Sequence, residues 1–484
     1  MQLLAAAKDH KIARRADLLA TATLTLLYIA LVSGHFQSID GMIMFQEARS
    51  LLYDQSLKFL EPINWGNPIF VSKYGLGLPL LYVPGLALFS WLEPYVHQPV
   101  GDSDFGRLYL DPVYAVVGIP VQILAASATA YFVARFCRQL GVGHSASLYS
   151  LALFGVASPA LVYARADYSQ SIEALCWICS LYFALCFRSF GRMRDCVLCT
   201  LAVFYAILTR PVEGLILLPA VLVLIVPYKR LGLHARQNWT AGMLVLTGAV
   251  IAGAITIFVN YVRYGHWFQT GYQGEGWTTS VLIGASGFLL SPARGLLWAF
   301  PSVVLLPLGF RKLWLMKRND VVIALGGASA ALIGLMSTWW AWWGGVNWGP
   351  RLIFPALPLI AVIVGVGVSA ISERRRALVV SVLATAGLFW TLPCVVVDIH
   401  AGYGGAVDGT LANFLPQAHP AIGAWRYVNH WFAYSVSDIS GVDILWFRLA
   451  RVTYGLSLVP FFGCVLLALR LLRQVKSRDV FQAT

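Results

Sequence analysis

A chain of 484 residues that is 58% hydrophobic and only 12% charged, against roughly 25% charged in soluble domains, is not an ordinary soluble enzyme. With a mean hydropathy of +0.70 and 17 Trp, 21 Tyr and 26 Phe, it is not disordered either, because so apolar a polymer collapses. The net charge of +13 suggests nucleic acid only until the Lys and Arg are mapped, since in a membrane protein their placement reports orientation first.

In chain order, apolar runs long enough to cross a bilayer at about 20 residues each lie near 17–34, 112–134, 146–164, 170–187, 195–209, 213–228 and 240–260. Others follow near 295–310, 321–338, 352–371, 378–397 and 449–472. They predict an all-α polytopic membrane protein of about 12 transmembrane helices, with interfacial helices in the outer loops. The basic N-terminus resembles a signal peptide, but the run behind it is long enough to stay as an anchor. The stretch Leu76–Leu92 is interrupted by Gly77, Pro79, Pro84 and Gly85 and is expected to lie on the outer face without crossing. With a cytoplasmic N-terminus, most of the 35 Lys and Arg then fall inside and most of the 22 Asp and Glu outside, as the positive-inside rule requires. The positive balance is thus an orientation signal, and no nucleic-acid partner is expected. The expected place is the inner (plasma) membrane, with both termini cytoplasmic and the working surface extracytoplasmic. The 8 cysteines fall in or beside apolar runs, which leaves none for a disulfide in a watery loop. The CxxC of Cys176 and Cys179 sits mid-run in hydrocarbon, where a redox or metal role has little support.

Polar residues, Gly and Trp that lipid does not explain concentrate in the outer segments 35–111, 261–294, 339–351 and 398–448. A boundary near 397 separates a catalytic unit, residues 1–397 with its first outer loop 35–111, from residues 398–484, an outer segment plus the last crossing and a basic tail. Asp40 stands six residues past the first crossing, at a water interface where a carboxylate stays ionised yet shielded, the setting of a general base. Apolar spacing after it predicts an interfacial helix beginning near Asp40, so an N-cap is an equal reading. Glu47 follows two helical turns on.

Lys73 and Tyr74 precede backbone kinks and read either as a snorkelling Lys with an interfacial Tyr or as a cradle for a lipid phosphate. Arg165 and Asp167 share a tight outer turn where pairing and capping are the commoner use, and Arg210 beside Pro211 either pairs with Glu213 or faces an anion. Tyr272 lies in a Thr-Gly-Tyr segment, Arg294 in Ser-Pro-Ala-Arg-Gly, and Trp348 and Arg351 in Trp-Trp-Ala-Trp-Trp-Gly-Gly-Val-Asn-Trp-Gly-Pro-Arg. Indole faces stack on sugar C–H surfaces or on polyprenyl chains, and an Arg at a helix mouth suits bidentate phosphate binding. No His/Cys/Asp/Glu cluster has structural-zinc spacing, and neither a P-loop nor a GxGxxG strand-helix unit is present. No cofactor is expected, and a divalent metal has no support in the sequence.

These motifs, in their order and on their common side, resemble the GT-C class of membrane glycosyltransferases. The segments around Asp40, Lys73 to Pro79, Arg165, Arg210, Tyr272, Arg294 and Arg351 are similar to bacterial members related to protein O-mannosyltransferases and lipid A aminoarabinose transferases, over roughly residues 15–400. The resemblance implies an inverting transfer of a monosaccharide from a polyprenyl-phosphate donor to a cell-envelope glycan, lipid or protein at the outer face. It implies Asp40 as general base, Lys73 at the donor phosphate, and Arg294 and Arg351 as further phosphate ligands. Tyr74, Arg165, Arg210, Tyr272 and Trp348 complete the expected substrate-binding set, with Glu47 or Asp167 as a second carboxylate. Many relatives pair two acidic residues in the first loop, whereas here Gly41 follows Asp40. Two rival readings stay open: a lipid-linked sugar flippase or other transporter, and a glycan polymerase or ligase using a lipid-linked oligosaccharide.

Overall fold

A computed structural model describes residues 2–65, 67–95, 112–226, 235–398, 412–434, 442–450 and 453–480. Helices α1 (Gln2–Ala30), α2 (Ile39–Arg49), α3 (Gly77–Leu88), α4 (Pro112–Gln139), α5 (His144–Val156), α6 (Ala160–Tyr163), α7 (Gln170–Phe190), α8 (Met193–Thr209) and α9 (Pro211–Ile225) form the first part. The second contains α10 (Ala235–Tyr264), α11 (Val281–Leu290), α12 (Leu296–Ala299), α13 (Leu306–Leu315), α14 (Asn319–Val321), α15 (Gly327–Ser337), α16 (Leu357–Val368) and α17 (Glu373–Val396). Helices Pro420–Tyr434, Leu445–Ala450 and Leu458–Val480 end the chain.

By length and apolarity, 6 helical spans among the described residues can cross a membrane: Val113–Gln139, Gln170–Phe190, Gln237–Tyr264, Asn319–Ser337, Arg351–Val368 and Glu373–Val396. Of the other expected crossings, 17–34 falls mostly in the 29-residue α1, 195–209 and 213–228 are helices of 17 and 15 residues, and three are broken, each for a local reason. The run 146–164 divides where α5 stops at Val156 and a bend carrying Pro159 precedes α6. The run 295–310 divides at Pro301, which has no amide hydrogen for a continuing helix. In the run 449–472, Tyr454 and Gly455 take positive φ just ahead of helix Leu458–Val480. Helix α3 has 12 residues; at 1.5 Å per residue it reaches about 18 Å, well short of a hydrocarbon core of about 30 Å. That length agrees with a non-crossing placement of Leu76–Leu92.

The first outer loop adds an element that the helix-only expectation missed. Strands β1 (Lys58–Trp65) and β2 (Asn67–Val71) form an antiparallel hairpin, with Phe59 buried and Leu60 exposed, the alternation of a strand with one covered face.

All residues of α16 are buried, so it is the axis of the bundle, packed by α4, α5, α7 and α13. Helices α10 and α17 are peripheral and expose Val250, Phe258, Leu378, Val382 and Phe389, apolar surface of the kind lipid covers. The C-terminal helix Leu458–Val480 packs along α1, and Trp446 Nε1 donates to the Ile29 carbonyl at 3.0 Å. Asp443, fully buried, pairs with Arg165 and Arg448 and accepts from His35 Nε2 at 2.8 Å. Residues 399–411 and 435–441, within the outer segment 398–448, lie outside the described residues.

Candidate active site

Helix α2 begins where Ser38, in extended backbone, accepts from the Gly41 amide at 3.0 Å. Ser38 is therefore the N-cap, and Asp40, in the first turn, is released from the capping role that its position also allowed. Asp167 secures this helix start: its carboxylate accepts from the backbone amides of Gln37 (3.2 Å) and Ser38 (3.0 Å) and from Ser38 Oγ (2.9 Å). Burial pushes the Asp167 carboxyl up to about 6 despite those bonds. Gly41 explains why no second carboxylate can follow Asp40, since a Cβ there would lie 2.2 Å from the Asp167 carboxyl carbon.

With its backbone fixed, the Asp40 carboxylate accepts from Tyr74 Oη at 2.5 Å and is ion-paired with Arg351. Burial alone would raise its pKa; the Arg351 guanidinium and the Tyr74 hydroxyl bond overcome that and hold it below the ordinary value. Tyr74 is pushed upward by burial and by Asp40, so it remains a protonated donor. The Arg351 guanidinium also lies 4.0 Å from the Tyr168 ring centroid, a stacked cation that cannot swing freely. Arg351 sits just beyond Pro350, where a 3₁₀ turn leads into α16, so a rigid axial helix aims it.

Asp40, Lys73, Tyr74, Arg210, Tyr272 and Arg351 line one cavity of about 940 Å³. Lys73 Nζ bonds Glu275 at 2.5 Å and lies 4.7 Å from the Tyr272 ring centroid. Arg210 precedes Pro211, whose ring disfavours helix for the residue before it; Arg210 is extended (φ −146°) and links α8 to α9. It bonds Glu213 at 2.6 Å and Ser169 at 3.2 Å. Of the 5 Trp in 339–348, Trp339, Trp340 and Trp343 line the cavity, while Trp342 and Trp348 are buried among the helices.

Other expected site residues lie off the cavity. Arg165 is 1% exposed, paired with Asp443 and bonded to the Val395 carbonyl, so it fastens the outer segment. Arg294 holds the Trp-rich turn, donating to Gly345 O at 2.8 Å and to Asn413 Oδ1 at 3.2 Å. The Trp348 carbonyl accepts from Tyr163 Oη at 2.6 Å. Glu47 is wholly buried against Arg263, and Asp167 caps as described. The sequence reading missed Arg263 and Glu275 as cavity residues. Arg263 carried a weak signal in the last turn of α10, but nothing local marks Glu275, whose role depends on a partner 202 residues away.

No protein-family model matches the sequence, and no curated protein matches it. Solved structures do. ArnT from Cupriavidus metallidurans in the apo state is similar with a TM-score of 0.52 and 17% identity, over 96% of this chain and 77% of that one. The same protein bound to undecaprenyl phosphate is similar with a TM-score of 0.53 and 16% identity, over 94% and 77% of the respective chains. At such identities the likeness speaks of fold, and the chain is a helical membrane-type protein with the fold of ArnT.

Proposed function

We propose that the chain is an inverting glycosyltransferase that moves a monosaccharide from a polyprenyl-phosphate donor to an envelope acceptor (a glycan, lipid or protein) on the extracytoplasmic side. The observation that carries this reading is the pairing of Asp40 with Arg351 inside a cavity that also holds Lys73 and Arg210. The fold match to a protein solved with undecaprenyl phosphate and the motif resemblance to aminoarabinose and mannosyl transferases support the same donor class.

The chemistry follows from those charges. The acceptor hydroxyl attacks C1, its proton passes to Asp40, the new O–C1 bond forms, and the C1–O bond to the phosphate breaks with both electrons leaving on the phosphate. Cations facing the phosphate stabilise that developing charge. In the cavity lining Lys73, Arg210, Arg263 and Arg351 each bond a carboxylate. A phosphate bound against Arg351 shares that cation's charge, which weakens its hold on Asp40 and makes the carboxylate more basic. Donor binding thereby prepares the base, and without donor the base stays masked.

The test uses purified full-length protein in lipid nanodiscs with a polyprenyl-phosphate monosaccharide and a panel of envelope acceptors. Asp40→Asn is expected to lose at least about 10²-fold in turnover, the scale of general-base catalysis, while undecaprenyl phosphate still binds. Wild-type turnover by that variant removes Asp40 from the mechanism. Movement of intact donor across a vesicle membrane without sugar transfer would instead establish the transporter reading.

A further inference from the structure

Glu47 lies seven residues after Asp40 on α2, on nearly the same helix face and about 10.5 Å along the axis at 1.5 Å per residue. It is wholly buried and does not reach the cavity. Its carboxylate is ion-paired with Arg263, the arginine in the last turn of α10. A second guanidinium nitrogen, Arg263 Nη1, donates to the backbone carbonyl of Tyr74 at 2.7 Å. The next residue of α10, Tyr264, donates from Oη to the Ser72 carbonyl at 3.0 Å, and the Tyr74 amide donates to Ser72 Oγ at 3.1 Å. The Ser72-Lys73-Tyr74 segment has no regular secondary structure of its own, so these bonds set where Tyr74 points. It points at Asp40 Oδ1.

Helix α2 therefore reaches the Tyr74 segment through Asp40, through Glu47 and Arg263, and through a side-chain bond of Glu47 to Ser72. We propose that Glu47 is a positioning residue: through Arg263 it locks the Tyr74 backbone so that the phenol donates to Asp40, and it is not the second catalytic carboxylate. As regards turnover, this inference rests on the glycosyltransferase reading; the geometric part does not. A buried pair that retains one guanidinium bond for a loop carbonyl is suited to fixing geometry, because moving the loop leaves a buried donor unpaired.

The experiment places 3-fluorotyrosine at position 74 of the full-length protein in nanodiscs and reads its fluorine resonance. Wild type and Asp40→Ala define the bonded and unbonded positions. The double variant Glu47→Leu/Arg263→Leu removes both charges together, so no ion is left buried alone and the fold is retained. Its resonance is expected at least halfway to the Asp40→Ala position, and its turnover about tenfold lower. Glu47→Gln, whose amide oxygen still accepts from Arg263, is expected to lose far less than Asp40→Asn. Adding Tyr74→Phe to the double variant should cost nothing beyond Tyr74→Phe alone, since residues acting through one group do not add. An unmoved Tyr74 resonance in the folded double variant overturns the proposal, as does a folded Glu47→Gln as inactive as Asp40→Asn. If the wild type transfers no sugar to any acceptor, the glycosyltransferase reading fails while the fluorine resonance still decides the role of Glu47.

Discussion

Asp40 is one carboxylate under two opposing influences, burial that favours its neutral form and Arg351 with Tyr74 that favour its ionised form, and the second wins. Replacing Arg351 with Gln removes the larger of the lowering influences, so the Asp40 pKa must rise. The acidic limb of the pH–turnover profile of Arg351→Gln is expected at higher pH than in the wild type, in addition to a fall in rate. A limb that stays in place in kcat/KM, measured at limiting donor so that the free enzyme titrates, would show that Asp40 is not the group titrating. Asp167 runs the other way: its carboxyl is raised to about 6 by burial. A raised folded value gives stability that is full below the unfolded value near 3.8 and is lost as pH rises through about 6. Thermal unfolding should accordingly occur at lower temperature at pH 7 than at pH 5, and Asp167→Asn should flatten that difference. Gly41→Ala should also destabilise, by about 1–3 kcal/mol, since its methyl group meets the Asp167 carboxyl. Sequence spacing was enough to single out Asp40 and Arg351, because both follow or precede long apolar runs. It could not separate Arg210 from Arg165, similar arginines in similar short turns, since the difference lies in Asp443, 278 residues from Arg165.

Elements were legible where periodicity alone decides them. The six long spans coincide with continuous apolar runs, and the apolar spacing after Asp40 placed the start of α2, though its cap is Ser38 and not Asp40. The hairpin β1–β2 was missed because its alternation is short and interrupted by Pro62 and Pro68, residues that usually mark sheet edges. Broken crossings were misread for a related reason, since hydropathy sums over Pro301 or Tyr454 without sensing the backbone there. Helix α3 carries the strongest consequence at this scale. Its 12 residues are too few to cross by themselves, so positions before and after it are expected to share a face. In a background whose native cysteines are replaced, single cysteines at Phe70, exposed in β2, and at Trp91, exposed after α3, should react with a membrane-impermeant maleimide from the same side. Labelling of Phe70→Cys and Trp91→Cys from opposite sides would overturn the non-crossing placement of α3 and, with it, the common side of Asp40 and Arg351.

On the scale of the whole molecule, the C-terminal segment is tied to the cavity through a chain of buried charges. Asp443 takes bonds from Arg165, Arg448 and His35. Arg165 stands two residues before Asp167, which fixes the start of the helix that carries Asp40. His35 opens the first outer loop, five residues before Asp40, and the Leu445 amide donates to the Val32 carbonyl at 2.7 Å. The Asp443 carboxyl is buried, yet Arg165 and His35 outweigh that burial and hold its pKa below the usual value. A lowered folded value gives stability that is present above the unfolded value and is lost as pH falls through the folded one. Asp443→Asn removes the nearest counter-charge of the buried Arg165 and Arg448, a loss of about 3–5 kcal/mol on the scale of broken buried pairs. Thermal unfolding in nanodiscs at neutral pH should show that loss, and turnover at low temperature should fall because the start of α2 loosens. Asp398→Asn, at 3.6 Å from His35 and partly exposed, removes a weaker contact and should change both measurements far less. Equal, small effects from the two variants would mean that the outer segment merely covers the bundle, with no mechanical hold on Asp40.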